Sequence, residues 1–278
     1  MPTELPKYTI IAPAARFFAE PDMKGPVETD VLFGETVEVL GEHGPFYKVS
    51  FPLYASPGYV FKGDARRAEL HRRSVSPKHR VIVPRANIYT NPSFKFPDPN
   101  GLALPMNALV RIIDRQPSPE GYMAYVDGLG WLFADQIVST DNFHKDYVEV
   151  ACRYVGSMAS YTWGGRMFPD CSGLVQQALI ACGIACPRNT GEQMTMLGKE
   201  IGTDEHDFSY RRGDLVFFHD PSANVRHVVI MVDDSRCVHA SIMSATRAVA
   251  IEPLSAVIAQ QFKGSRNAPT MIRRFPNR

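Results

Sequence analysis

No hydrophobic run in this chain approaches the roughly 18 residues that a membrane span needs, so a bilayer-crossing helix is not expected. Net charge is also lacking: 30 Lys and Arg against 29 Asp and Glu leave +1. A chain so balanced has no global field for gathering nucleic acid or an anionic membrane, and any charged partner must be met locally. Cysteines are few and odd in number, five in 278 residues. That argues against the disulfide framework of a small secreted domain and for a reducing compartment. The opening stretch Met1-Pro-Thr-Glu-Leu-Pro6 has an acid and two prolines where a secretory leader has positive charge and an apolar run, so the expected location is cytoplasmic. His219, His227, His239 and Cys237 lack the C-x-x-C or H-x-x-x-H spacing of metal ligands, and neither a metal nor another cofactor is expected.

What is present is enough apolar sequence for real cores, 45% of residues, over a length close to twice the roughly 150-residue domain prior. Two or three compact units follow. From Tyr8 to about Val138 short apolar runs alternate with Pro and Gly: Tyr8–Ile11, Thr36–Leu40, Tyr47–Phe51, Val81–Val83, Leu109–Ile113 and Tyr122–Val126. Such spacing predicts strands joined by turns. Pro13, Ala15 and Pro21 align with Pro84, Ala86 and Pro92; Val37–Leu40 aligns with Val110–Ile113, and Gly58-Tyr-Val60 with Gly130-Trp-Leu132. The offset of about 70 residues reads as one unit written twice. Arg66-Arg67, His71-Arg-Arg73 and Lys78-His-Arg80 form a basic connector between the copies, expected to face solvent.

After Ser139 the texture changes. Tyr147, Val150, Ala151, Tyr154, Val155 and Met158 recur at three- and four-residue spacing, which predicts an amphipathic helix over 147–158. The paired glycines of Tyr161-Thr-Trp-Gly-Gly165 let backbone pass close to another group. A second helix is predicted between Asp170, a suitable N-cap, and Gly183, a suitable stop. Cys171 then falls in its first turn, where free N–H groups and the helix dipole favour a thiolate. Gly213–Phe218, His227–Val232 and Arg236–Ala240 read as strands, the last two joined at Asp233-Asp-Ser235. Because 227 + 239 is even, a hairpin loop with an odd number of residues puts His227 and His239 on one face. His227 can then take the thiol proton while His239 orients it.

Asp170-Cys-Ser-Gly173 opening a helix, the preceding Tyr-x-Trp-Gly-Gly, Gly213-Asp-Leu-Val-Phe-Phe218, His227 and the His239-Ala-Ser241 strand together resemble the NlpC/P60 family of cell-wall cysteine peptidases. The likeness runs from about Phe143 to Pro253. Each N-terminal copy resembles a bacterial SH3 (SH3b) domain, and the whole is similar to the family's γ-D-glutamyl-L-diamino acid endopeptidases. The resemblance implies two small all-β SH3-like barrels, 1–72 and 73–140, followed by an α+β papain-like catalytic domain, 141–278.

It also implies Cys171 as nucleophile, His227 as general base and acid, and His239 as the third, orienting group. Tyr161, Asp170 and Ser172 then line the substrate pocket, with the Asp170 carboxylate receiving the free amine of an N-terminal L-alanine. Asn189 and Thr190 stand where such enzymes often carry Asp-Ser, which changes the contacts to the substrate backbone. Glu28, Asp30 and Tyr54 are candidates for walling one side of the cleft. The implied partner is a small murein peptide in wall recycling, with no nucleic acid or membrane partner; the oligomeric state is open and compatible with a monomer. Two other functions fit the pattern: a wall-peptide binding module with a degenerate catalytic domain, and a hydrolase acting on intact murein stems.

Overall fold

The computed structural model describes residues 5–67, 77–157, 160–201, 209–219, 225–261 and 271–276. Two features read from sequence lie outside these residues: His71–Arg73 of the connector and Met158 at the end of the first predicted helix. The fold is mostly β, with several sheets and few helices. The chain divides into two units, residues 1–143 and 144–278.

Among the described residues the first unit is built from strands and single 3-10 turns, because its apolar residues come in short alternating runs. Seven antiparallel strands form one sheet in the order Val27–Leu32, Ala14–Phe18, Tyr54–Phe61, Phe46–Phe51, Thr36–His43, Lys7–Ile10 and Ala65–Arg67. Ile10, Phe17, Val31, Val37, Val49 and Val60 fill its core. A second core, with Val81, Ile88, Leu104, Val110, Ala124 and Leu132, lies among three smaller sheets.

The succession of elements recurs between the two halves of this unit. The 3-10 turn Lys62–Asp64 enters from Phe61 at φ −66°, ψ 134° and leads into Ala65–Arg67, while Ala134–Gln136 enters from Phe133 at φ −67°, ψ 130° and leads into Ile137–Ser139. The run Leu109–Ile113 divides into strands Leu109–Val110 and Ile112–Ser118, with a register shift after Ile112. Gly34 joins the halves. Its φ is +79°, and a Cβ there would lie 2.0 Å from the Leu109 carbonyl oxygen, so only glycine fits.

The second unit centres on a six-stranded antiparallel sheet ordered Lys199–Ile201, Met271–Arg274, Leu215–His219, Val225–Met231, Arg236–Ala240 and Val249–Pro253. The middle strands are buried on both faces, which is why they read as nearly unbroken apolar runs. Val216, Phe218, Val229, Met231 and Cys237 form one core with Leu254 and Val257 of helix α4 (Leu254–Gln261). Helix α2 (Cys171–Ala181) packs against α1 (Tyr147–Cys152) and onto the strands Val225–Met231 and Arg236–Ala240. Helix α3 (Thr190–Met196) follows it.

Helix α1 is shorter than the periodicity of its sequence predicts. Bonds from Tyr154 N–H to the Ala151 carbonyl and from Val155 N–H to the Cys152 carbonyl tighten the last turn, and Gly156 at φ +73° turns the chain away. Tyr154 stays buried, whereas Val155 is exposed. Helix α2 keeps both predicted ends. Asp170 accepts from Gly173 N–H, and Gly183 at φ +73° closes a Schellman motif in which Ile184 N–H reaches the Leu179 carbonyl. Ten of its eleven residues are buried, so α2 is a central rod and not a one-sided surface helix. Among the described residues, no helix is long and apolar enough to cross a membrane.

Candidate active site

The site is assembled at the N-terminus of α2 and at the neighbouring strands. Cys171 opens the helix and is 9% exposed. Two backbone N–H groups, of Val228 and Ser172, donate toward its sulfur. Val228 follows His227 in its strand, so the thiol sits against the strand that carries His227. Burial pushes the Cys171 thiol up to about 11, with the Asp170 charge adding to the rise and the two N–H donors and Arg188 opposing it. The helix terminus therefore does not produce a standing thiolate as its sequence position suggests, because desolvation outweighs the dipole.

The two histidines meet as the parity argument requires. Ile230 pairs with Val238 and Met231 with Cys237, leaving a five-residue loop, Val232 to Arg236, and placing 227 and 239 on one face. His227 Nε2 lies 2.9 Å from His239 Nδ1, and both rings are buried. Burial and then the neighbouring His239 bring the His227 imidazolium down to about 3, so the ring is neutral at physiological pH and able to accept a proton. His239 Nε2 in turn lies 3.1 Å from Glu252 Oε2.

The Tyr-x-Trp-Gly-Gly segment packs against Asp170, the residue before Cys171. Gly164 N–H donates to Asp170 Oδ2 at 3.0 Å, and the Gly165 carbonyl comes so close to α2 that a Cβ on Gly173 would lie 2.3 Å from it. Gly173 is thus needed for this close backbone crossing, while a Cβ on Gly165 would lie 2.1 Å from the Phe168 carbonyl oxygen within its own turn. Tyr161 is half-buried, and its hydroxyl is pushed up by burial and then by the nearby Cys171 and Asp170, which puts it beside the nucleophile.

Asp170 has more partners than a pocket carboxylate. Its Oδ2 takes Gly164 N–H and Arg188 Nη2 (2.7 Å), and its Oδ1 takes Gly173 N–H (2.7 Å) and the Ser172 hydroxyl (3.2 Å). These four donors fill the roughly four lone-pair sites of a carboxylate. Arg188, itself buried, also donates to Ser172 Oγ at 2.7 Å and to the Gly165 carbonyl at 3.3 Å. Gln193 from α3 is buried too and donates to the Ser172 and Pro187 carbonyls, both at 2.9 Å. Asn189 is exposed at the N-cap of α3 without a side-chain capping bond, and Thr190 opens that helix half-buried.

Sequence reading therefore located Cys171, His227, His239, Tyr161, Asp170 and Ser172 in one neighbourhood but missed Arg188, Gln193 and Glu252. Arg188 was in view beside Asn189, yet an arginine's buried partner cannot be read from its spacing. Glu252 was hidden by the loop before its strand. His219 ends the strand Leu215–His219, and its side chain lies outside the described residues. The other cysteines, 152, 182, 186 and 237, form no disulfide and are packed inside the unit, with Cys152 only partly buried.

A buried thiol at a helix start, held against the strand that carries a neutral imidazole braced by a second polar group, is the arrangement of a cysteine hydrolase on an α+β scaffold. Residues 158–264 match the NlpC/P60 family model, and the second unit is an NlpC/P60 cysteine peptidase domain. The chain is 25% identical over 231 residues to the Gamma-D-glutamyl-L-lysine dipeptidyl-peptidase of Bacillus subtilis (strain 168), covering 77% of this chain and 72% of that one. It is 27% identical over 245 residues to the protein of the same name from Bacillus cereus (strain ATCC 10987 / NRS 248), covering 82% and 71%. The crystal structure of an NlpC/P60 family protein from Bacillus cereus ATCC 10987 superposes with a TM-score of 0.70 at 22% identity, covering 97% of this chain and 99% of that one. An NlpC/P60 endopeptidase from Photobacterium damselae subsp. piscicida gives a TM-score of 0.60 at 12% identity, over 96% and 72%.

Proposed function

We propose that this protein hydrolyses the amide between γ-D-glutamate and an L-diamino acid in peptidoglycan peptides that begin with a free L-alanine. The single observation that carries a hydrolytic reading is the Cys171 thiol held against the His227 strand, with His227 braced by His239. The substrate class rests on the named relatives, which are γ-D-glutamyl-L-lysine dipeptidyl-peptidases.

In this mechanism substrate binding displaces water from Cys171, and His227 removes the thiol proton as the sulfur attacks the glutamyl γ-carbonyl. The oxyanion is met by backbone N–H groups at the start of α2, including that of Cys171, which a first-turn position leaves without a helical acceptor. The His227 imidazolium gives its proton to the leaving amine of the diamino acid. Water, deprotonated by His227, then releases the acyl group from the thioester.

Tyr161, Asp170, Ser172, Asn189 and Thr190 border the peptide. An L-alanine ammonium would be a fifth donor to Asp170, so one of its four must give way. The Ser172 hydroxyl, whose bond is the longest and whose O–H can rotate, is the one that turns aside. A peptide acylated on that nitrogen brings no ammonium and leaves nothing to balance the displaced bond. This logic favours small trimmed peptides over intact murein and suits recycling in the cytoplasm. The two halves of the first unit are read as SH3b-like barrels on likeness alone.

Incubating the protein with L-Ala-γ-D-Glu-diaminopimelate beside its N-acetylated form tests the reading. Release of L-Ala-D-Glu from the free peptide only is expected. Failure to cut either, or equal cutting of both, overturns it.

A further inference from the structure

We propose that Glu252 is a positioning residue that sets the proton arrangement of both buried histidines and, through them, leaves His227 Nδ1 as the base for Cys171. Nothing in the sequence pattern or in the family likeness pointed to it. The inference deepens the hydrolytic reading and depends on it for its role in turnover.

The geometry follows from strand register. Cys237 pairs with Glu252 and His239 with Ala250, so Glu252 and His239 lie on the same face as diagonal neighbours. The result is a continuous chain of contacts: His227 Nε2 to His239 Nδ1 at 2.9 Å, then His239 Nε2 to Glu252 Oε2 at 3.1 Å. The His239 side chain is fully buried and that of Glu252 is 16% exposed. His227 and Glu252 face His239 from the strands on its two sides, Cys237 flanks it on its own strand, and α4 beyond Glu252 has no ionisable side chain.

A carboxylate accepts hydrogen bonds and donates none, so it admits only one tautomer of a neutral His239, with hydrogen on Nε2 and a lone pair on Nδ1. That lone pair then requires hydrogen on His227 Nε2, and His227 Nδ1 is left bare to receive the thiol proton. The opposite tautomers would set the His239 Nε2 lone pair against the carboxylate and give His227 a hydrogen where it needs a vacancy. A doubly protonated His239 would do the same to His227, and complete burial works against it. When His227 becomes imidazolium in turnover, the Glu252 charge stabilises it through His239. No proton need leave His227 for this.

The test compares Glu252→Leu and Glu252→Gln with wild type in three measurements: kcat and KM on the free peptide, Cys171 alkylation by iodoacetamide against pH, and imidazole 15N shifts. Glu252→Leu should lose about 10²-fold in kcat with little change in KM. Its acid limb should move to lower pH, because removing the negative charge lowers the pKa of the imidazoles. Glu252→Gln, which keeps an acceptor oxygen, should recover part of kcat. In wild type the 15N shifts should report hydrogen on Nε2 of both rings. Equal kcat per folded molecule with an unmoved acid limb in Glu252→Leu, or a wild-type His239 protonated on Nδ1, overturns the proposal. The alkylation profile and the 15N shifts do not use the peptide, so a wrong substrate assignment leaves them readable.

Discussion

Arg188 Nη2 lies 2.7 Å from Asp170 Oδ2 with both side chains buried, so the residue before the nucleophile is tied to the segment that follows α2. Removing one partner of such a pair strands a charge and costs about 3–5 kcal/mol, whereas replacing both can be nearly neutral. Arg188→Met should lower the unfolding free energy by that amount, read as a lower urea midpoint, and Asp170→Asn combined with Arg188→Met should recover a substantial part. A double-variant loss equal to the sum of the two single losses would mean the pair is not coupled.

Asp170→Asn alone separates two roles. If the carboxylate meets the substrate amine, the variant loses discrimination between free and acetylated peptide while Cys171 still reacts with iodoacetamide. Loss of stability with discrimination intact would confine Asp170 to the pair with Arg188. Product release from both peptides is the measurement.

The resting thiol sits at about 11, raised by burial. Below that value its thiolate fraction grows about tenfold for each pH unit. Alkylation of Cys171, followed at that residue by peptide mapping, should rise steadily from neutral to alkaline pH in the free enzyme. A plateau reaching down into the acid range would reveal a preformed thiolate–imidazolium pair instead.

Both histidines are held below their ordinary value by burial; for His227 the neighbouring His239 adds to this, and for His239 Glu252 opposes it. The unfolded chain therefore binds more protons than the folded one once pH falls below about 6.5. Stability should decline from there as pH drops toward the folded value of about 3 for His227, by up to about 1.4 kcal/mol per pH unit for each histidine. His227→Asn should flatten that slope in urea unfolding at a series of pH values. Parallel curves would show that His227 is not held neutral.

A methyl group at Gly173 would lie 2.3 Å from the Gly165 carbonyl oxygen. Gly173→Ala gains helix propensity but must push the Trp163-Gly-Gly165 segment away, so it should lose both activity and more than about 1 kcal/mol of stability. A thermal melt at or above wild type would show that the crossing can relax.

Much of the site was legible from spacing. Asp170 and Gly183 mark the ends of α2 because capping is local, and the two histidines share a face because strand parity survives any odd loop. The family likeness rested on these same residues. Register across the longer connection Ser241 to Ala248 is not local, and it alone places Glu252 diagonal to His239. The partner of Arg188 was equally hidden, since a long side chain reaches whatever the packing brings near.

The sequence by itself determined which residues are the candidates for the chemistry, because a thiol at a capped helix start and two histidines on one sheet face are written in residue type and short spacing. Only the tertiary structure decided their protonation and bracing. The sequence position of Cys171 favours a thiolate, yet burial against the strand that carries His227 makes desolvation the larger effect and leaves the thiol neutral, as burial leaves the imidazole.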